Sequence, residues 1–259
     1  MVVAGRARPP CDDPRTRPGR ETGQPTVWLR DAQGGVAAIT LSWLRLRDLA
    51  GSVPWRRWRS RRGQAHLSGS YWAATTGGHV VHESRLELAR LLLADFDATV
   101  VAIWAQPFRL VATVGGSQRQ HVPDFLLGST GGEVSVVNVK PAARLEDPKI
   151  AEALMWPGEL ITAHGWRYEV WSGCDAVLLD NVRFLAGYRR PGVVDAALMA
   201  RAWRQARDGD TVAELERRLA GDSPAWTVRP AVLALLWRQR LTTDLSRPLS
   251  GDAVLRRCP

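Results

Sequence analysis

"HVPDFLLGSTGGEVSVVNVKP", residues 121–141, contains Lys140, one of only two lysines in a chain whose Lys and Arg together number 35. In a composition so biased toward Arg, a retained Lys is either a surviving surface lysine or a mark of a place where a planar guanidinium does not serve and a compact ammonium, able to release its proton when its surroundings lower its pKa, is wanted. The stretch reads as strand, Gly-rich turn and strand. If residues 128–132, "GSTGG", form a five-residue hairpin loop, Val136 falls opposite Asp124 and Asn138 opposite Val122. Side chains alternate along a strand, so Asp124, Asn138 and Lys140 share one face of the ribbon. Asp124 and Asn138 are then diagonal neighbours with Cα atoms about 7–8 Å apart, close enough for both oxygens to reach one metal ion. A four-residue loop would turn Asn138 to the other face. Val122, Phe125, Leu126, Leu127, Val134, Val136, Val137 and Val139 make both faces apolar, so charges placed among them need partners or a cation. Oxygen donors suit Mg²⁺ or Mn²⁺ rather than zinc. The plainer alternative is a core Asp–Lys ion pair with a polar Asn beside it.

The chain has 259 residues, 45% of them hydrophobic, enough for one large domain or two smaller ones with a real core. A formal net charge of +9 favours a polyanionic partner, nucleic acid ahead of an acidic membrane surface or an acidic protein. Cys11, Cys174 and Cys258 are too few and too scattered for a disulfide framework or a thiolate zinc site. No apolar run approaches the ~18 residues needed to cross a bilayer, and the N-terminus carries Arg and Pro where a signal peptide needs an apolar stretch. The expected location is the cytoplasm, with no membrane partner.

Residues 1–26, rich in Pro, Gly and Arg without hydrophobic periodicity, read as a mobile arm. Short strands follow, broken at Gly34-Gly35. In "PWRRWRSRRGQ", residues 54–64, Arg56, Arg57, Arg59, Arg61 and Arg62 interleave with Trp55 and Trp58, a pattern suited to phosphate contact and base stacking or to a solvated loop. "SYWAATTGGHVVHE" reads as a hairpin feeding a helix in which Leu86, Ala89, Leu93 and Phe96 recur at helical spacing. Strand material interrupted at Pro107 comes next. After the quoted stretch, Asp147 caps a helix with Pro148 in its first position and Gly165 as its stop, and "WRYEVWSG" supplies a strand, so the strand–helix–strand order implies a parallel crossover. Beyond "FLAGYRRPG" the texture turns helical. A helix capped by Asp210 or Thr211, another starting after Thr227 with Pro230 in its first turn, and two short strands give the winged-helix order. The expected organisation is an arm at 1–26, an α/β catalytic domain at 27–195 and a winged-helix-like domain at 200–259.

Pro123-Asp124 followed by Asn138-x-Lys140 resembles the PD-(D/E)-x-K signature of restriction-endonuclease-like nucleases, with Asn in place of the second acid. More closely, "ESRLELARLLLADFD" (83–97), "AQPFRL" (105–110), "HVPDF" (121–125) and "VVNVKP" (136–141) together resemble the TnsA-like heteromeric transposase endonuclease subunits. "GWRYEVWSG", "NVRFLAGYRR" and "LTTDLSRPLSG" extend the likeness over about residues 70–259. The resemblance implies a restriction-endonuclease-like mixed sheet flanked by helices, binding Mg²⁺ or Mn²⁺. It implies that Glu87, within Ser84-x-x-Glu87, joins Asp124 and Asn138 at the metal, with Glu83 in reserve, and that Glu87, Asp124 and Lys140 are catalytic. Gln106 matches the family's "QP" element. By helical spacing Glu87 shares a stripe with Ser84, Leu91 and Ala94, at the margin of the packing face. The implied activity is hydrolysis of phosphodiesters at the 5′ ends of a transposon in double-stranded DNA, beside an integrase-type transposase and an AAA+ ATPase regulator met through the C-terminal domain. Because an amide brings no negative charge, Asn138 keeps open a nuclease fold reduced to a DNA-binding scaffold. A stand-alone restriction or junction-resolving nuclease is a further alternative.

Overall fold

Two prolines sit where the chain passes from one sheet to another. Neither can donate to a strand ladder, and Pro107 and Pro123 each follow or precede a residue where pairing stops. The computed structural model describes residues 23–56, 68–221 and 224–258. Nearly all of the expected arm at 1–26, and Arg57, Trp58, Arg59, Arg61 and Arg62, lie outside the described residues.

In chain order, β1 (Thr26–Arg30) and β2 (Val36–Thr40) form a hairpin, and β3 (Gly69–Ala73) pairs with β4 (Gly78–His82) in a second. Helix α1 (Arg85–Phe96) follows, then β5 (Val100–Ala105), β6 (Arg109–Val114), β7 (Ser117–His121), β8 (Phe125–Ser129) and β9 (Val134–Val139). A single turn, α2 (Ala142–Leu145), leads into α3 (Pro148–Ala163) and β10 (Arg167–Trp171). Helices α4 (Ala176–Leu185), α5 (Ala196–Gln205), α6 (Val212–Ala220) and α7 (Ala225–Trp237) precede a ribbon of β11 (Leu241–Thr242) and β12 (Arg256–Arg257). The molecule is therefore a mixed α/β protein with several sheets.

One four-stranded sheet has the order β2-β1-β6-β7 and is antiparallel throughout. The other has the order β10-β9-β8-β5, with β9 and β10 parallel and the remaining pairs antiparallel. The parallel pair is bridged by α3, as the strand–helix–strand order requires. Asp147 accepts from the Lys149 N–H at its start, and Gly165, at φ 90°, lies just past its end.

The expected five-residue loop at 128–132 is shorter. Ser129 still pairs with Glu133, its N–H donating to the Glu133 carbonyl at 2.9 Å, and Phe125 faces Val137. The strands are thus displaced by two residues from the expected register. An even slip leaves every side chain on its expected face. It also brings Asp124 directly across from Asn138 rather than diagonal to it, with the Asp124 N–H donating to the Val137 carbonyl at 3.1 Å. Val122 does not pair with Asn138, because residues 122–124 carry the chain between sheets. The polar run "SQRQH" lacks apolar alternation, yet it pairs along β6 through a turn at Gly115-Gly116, both at positive φ. Helix α7 starts at Ala225 rather than after Thr227, since Pro224 fixes the entry φ and its carbonyl accepts from the Thr227 N–H at 2.9 Å. Pro230 consequently lies inside the helix rather than in its first turn.

Both faces of the β8–β9 ribbon are covered. Phe125, Leu127, Val137 and Val139 join a buried cluster that continues through Leu91 and Leu92 of α1 and Val182 of α4 to Leu233 and Leu236 of α7. Leu126, Val134 and Val136 pack on the other side with Val27, Leu110, Trp156 and Ile161. The C-terminal helices thus share one continuous apolar cluster with the sheet that carries Asp124. Among the described residues no helix is long and apolar enough to cross a membrane.

Candidate active site

Asp124 ends the passage from β7 to β8 and is 6% exposed. Its Oδ2 accepts from the Val139 N–H at 2.7 Å, which ties the carboxylate to the partner strand. Burial lifts its pKa above the usual range. The Lys140 ammonium, that N–H and Arg56 pull the other way, and Glu83 adds to the rise.

Glu87 lies in the first turn of α1. Ser84 is the N-cap, its hydroxyl oxygen accepting from the Glu87 N–H at 3.0 Å. In return Glu87 Oε1 accepts from the Ser84 hydroxyl at 3.1 Å, and Oε2 accepts from the Glu83 N–H at 2.7 Å. Ser84-x-x-Glu87 therefore works as a variant of the capping box, with the carboxylate reaching one residue farther back than usual. Burial raises the Glu87 pKa first, and the negative charges of Asp124 and Glu83 add to it. The buried carboxylate at the strand edge, Asp124, thus disfavours ionisation of the half-buried one on the helix, Glu87. Such a pair favours a shared proton or a cation.

Asn138 is 1% exposed, and its Oδ1 lies 2.7 Å from His121 Nε2. Burial drives the His121 pKa down to about 4, with Lys140 and Arg56 helping, so at neutral pH the ring is uncharged and its Nε2–H donates to the amide oxygen. The amide Nδ2 is buried without a hydrogen-bond partner. It influences the Tyr168 hydroxyl without meeting hydrogen-bond geometry, and that hydroxyl donates to the Leu154 carbonyl at 2.8 Å. Burial, then the Asp124 charge, pushes the Tyr168 pKa well above its ordinary value. Lys140 extends β9 toward β10, its N–H donating to the Trp171 carbonyl at 2.9 Å, and its ammonium acts on both Asp124 and His121.

Glu83, the reserve candidate, is instead paired with Arg56 at 2.5 Å across a largely exposed surface. Arg56 alone of the five arginines at 56–62 is described, and it sits at this site. Gln106 gains a definite task. Its backbone adopts the left-handed conformation at φ 46°, rare for a residue with a side chain. From there its N–H donates to the Asp124 carbonyl at 2.9 Å, its carbonyl accepts from the Trp55 N–H at 3.0 Å, and its Oε1 accepts from the Arg56 N–H at 3.0 Å. Gln106 thereby clamps the start of the arginine-rich segment to the residue before β8.

The structure thus brings Glu87, Asp124, Asn138 and Lys140 into one neighbourhood, linked by electrostatic influence and by shared strands. It adds His121, Tyr168 and Gln106. His121 was missed although it lies inside the quoted stretch, because it belongs to the other sheet and hairpin geometry does not place it. Nothing in the sequence singles out Tyr168 beyond a β-rich run.

Among the described residues no group of three His, Cys, Asp or Glu side chains gathers as a metal site. The oxygen donors on hand are two carboxylates and one amide. Their burial and the charge of Asp124 beside Glu87 fit a hard divalent cation, and the amide oxygen is already engaged by His121.

Tyr168 is itself packed against Gly158 of α3, where a Cβ would fall 2.8 Å from the ring. Gly158→Ala is expected to displace the ring from Asn138 and to cost about 1–3 kcal/mol of stability in urea denaturation. An unchanged unfolding midpoint would show that the ring yields freely.

The chain matches no model of a known protein family, and no curated protein matches it.

Proposed function

We propose that this protein is a metal-dependent DNA endonuclease subunit of a heteromeric transposase, of the TnsA-like kind, hydrolysing phosphodiesters at the 5′ ends of a mobile element. The observation that carries it is the meeting of a half-buried carboxylate from a helix, Glu87, with a buried one at a strand edge, Asp124, whose charge disfavours the ionisation of Glu87 and on which the Lys140 ammonium acts. Helix α1, the antiparallel strands β5, β8 and β9, crossover helix α3 and parallel β10 make a compatible order for a restriction-endonuclease-like core.

Glu87 and Asp124 would hold Mg²⁺ or Mn²⁺, with Asn138 as a weaker oxygen donor. Such a cation, when bound, polarises a phosphate and makes a nearby water more acidic. Lys140 orients the attacking water or stabilises the charge that builds on the phosphate. Asp124 is held rigidly by the Val139 N–H, and the neutral His121 holds Asn138, so neither needs to reorganise when substrate arrives. The net charge of +9 suits double-stranded DNA. Three helices and a terminal ribbon at 196–257 offer a winged-helix-like face for an AAA+ ATPase regulator, with an integrase-type transposase cutting the other strand. Such a protein works in the cytoplasm at the nucleoid.

One observation favours a second reading, a DNA-binding scaffold without catalysis: among the described residues Glu83 is engaged by Arg56, which leaves Glu87 and Asp124 as the carboxylates at the site, and the amide oxygen is occupied by His121. Calorimetry with Mn²⁺ separates the two. Binding heat is expected for the wild type, with affinity weakened about tenfold or more in Glu87→Gln, since a ligand charge is lost. Absence of heat in the wild type would leave the scaffold.

A further inference from the structure

The outward face of the β2-β1-β6-β7 sheet is not absorbed by the catalytic proposal. Its inner face is apolar, with Val27, Leu110 and Ala112 buried. On the outer face the register sets Arg109 opposite Trp28, Gln120 opposite Val111 and Gln118 opposite Thr113. Two cavities meet at Arg109 and Gln120 of this face. The larger, about 550 Å³, reaches Lys140, Asn138 and Arg56, with Ile150, Ala153 and Leu154 of α3 as an apolar wall. The smaller, about 250 Å³, continues over Trp28, Gln118 and Arg119. Arg109 and Gln120 line both, so the two form one groove.

Among the described residues no carboxylate lines either cavity. Arg56 and Arg119, toward its two ends, are partly neutralised by Glu83 and by Glu152, the latter at 2.6 Å. Arg109, at the junction, is different. Its guanidinium lies between two indoles, 4.5 Å from the Trp55 ring and 5.4 Å from the Trp28 ring, and among the described residues no carboxylate pairs with it. Its Nε is buried without a hydrogen bond. Indole faces fix a guanidinium without neutralising it. A positive charge so held, with amides on one side and the Lys140 ammonium at the far end, is a seat for successive anions joined by less polar units.

We infer that this groove binds a DNA strand that passes from the outer face of the β6–β7 hairpin, at Gln118 and Gln120, past Arg109 on a phosphate, and then along the apolar wall of α3 against sugar or base to Lys140. A lone phosphate or nucleotide would fill one cavity and leave the other unused. The identity of the strand as the one cut rests on the nuclease proposal; the binding itself does not.

Fluorescence anisotropy of a short labelled DNA duplex, titrated with the full-length protein in EDTA at several salt concentrations, tests it. Arg109→Ala is expected to weaken binding about tenfold and to lower the salt slope by about 1, as for loss of one phosphate contact. Because Arg109 also supports Trp28 and Trp55, the exposed pair Gln118→Glu with Gln120→Glu is the second variant, and it should weaken binding at least as much with an unaltered melting temperature. Wild-type affinity and salt slope in the folded Gln118→Glu, Gln120→Glu protein would overturn the groove. Tighter binding of an RNA duplex of the same sequence would overturn its assignment to DNA. Asp124→Asn serves as the separate arm: if it cuts normally while the groove variants lose DNA, the assigned catalytic site fails and the groove stands, and the converse pattern sinks the groove alone.

Discussion

Alanine at position 124 is expected to lower the rate of DNA nicking by about a thousandfold or more, the scale on which loss of a group essential in the transition state is felt. Asp124 is the carboxylate that three features converge on: the Val139 N–H that holds it, the Lys140 ammonium that acts on it, and Glu87, whose charge it opposes. The substitution leaves the Val139 N–H without an acceptor, at a cost of about 1–3 kcal/mol. It also relieves the burial of a charge, so the protein should remain folded. Asp124→Asn retains an acceptor for that N–H while removing the charge, and is expected to be at least as stable as the wild type yet equally inactive. The measurement is single-turnover nicking in Mn²⁺, by the protein alone and together with an integrase-type transposase. Undiminished nicking by a folded Asp124→Ala protein would remove the assigned site.

Acid is expected to destabilise the protein by about 3 kcal/mol through His121 alone. Its pKa falls from 6.5 to about 4 in the folded state. The unfolded chain therefore binds more protons between those values, and stability is fully present above pH 6.5 and lost as pH falls toward 4. The groups facing the ring agree with this sign: Lys140 and Arg56 are positive and oppose a second cation, the Trp156 ring lies edge-on with centroids 6.1 Å apart, and only the Asn138 oxygen favours protonation. Glu87 and Asp124 act in the opposite sense. Their pKa values are raised on folding, so they destabilise increasingly as pH rises through and above the ordinary carboxylate range. His121→Gln keeps a donor for Asn138 and removes the titration. Urea denaturation of both proteins from pH 7 to pH 4 isolates the effect as their difference, and a difference that does not change with pH would show that the imidazole is free to charge in the folded state.

Local structure was legible where a short-range rule governs it. The capped start of α3 at Asp147-Pro148, the Thr211 cap of α6, the two hairpins and the parallel β9–β10 crossover all follow from residue type and spacing. Register was less so. The Gly-rich turn shows that a hairpin forms, but Ser129 and Glu133 pair and tighten it, which period-two alternation does not reveal because an even slip preserves the faces. Ser84-x-x-Glu87 is a case where one pattern carries two meanings: the same four residues cap a helix and set a carboxylate beside Asp124.

From the sequence alone came the strand pair with its polar positions on one face, the helix bearing Glu87 and the excess of positive charge, all consequences of periodicity and composition. The approach of that helix to Asp124, the insertion of His121 from a second sheet and the clamp made by Gln106 were decided only by tertiary structure. Each depends on residues far apart in the chain being pressed together by two apolar clusters, and burial, not spacing, is what shifts their proton affinities.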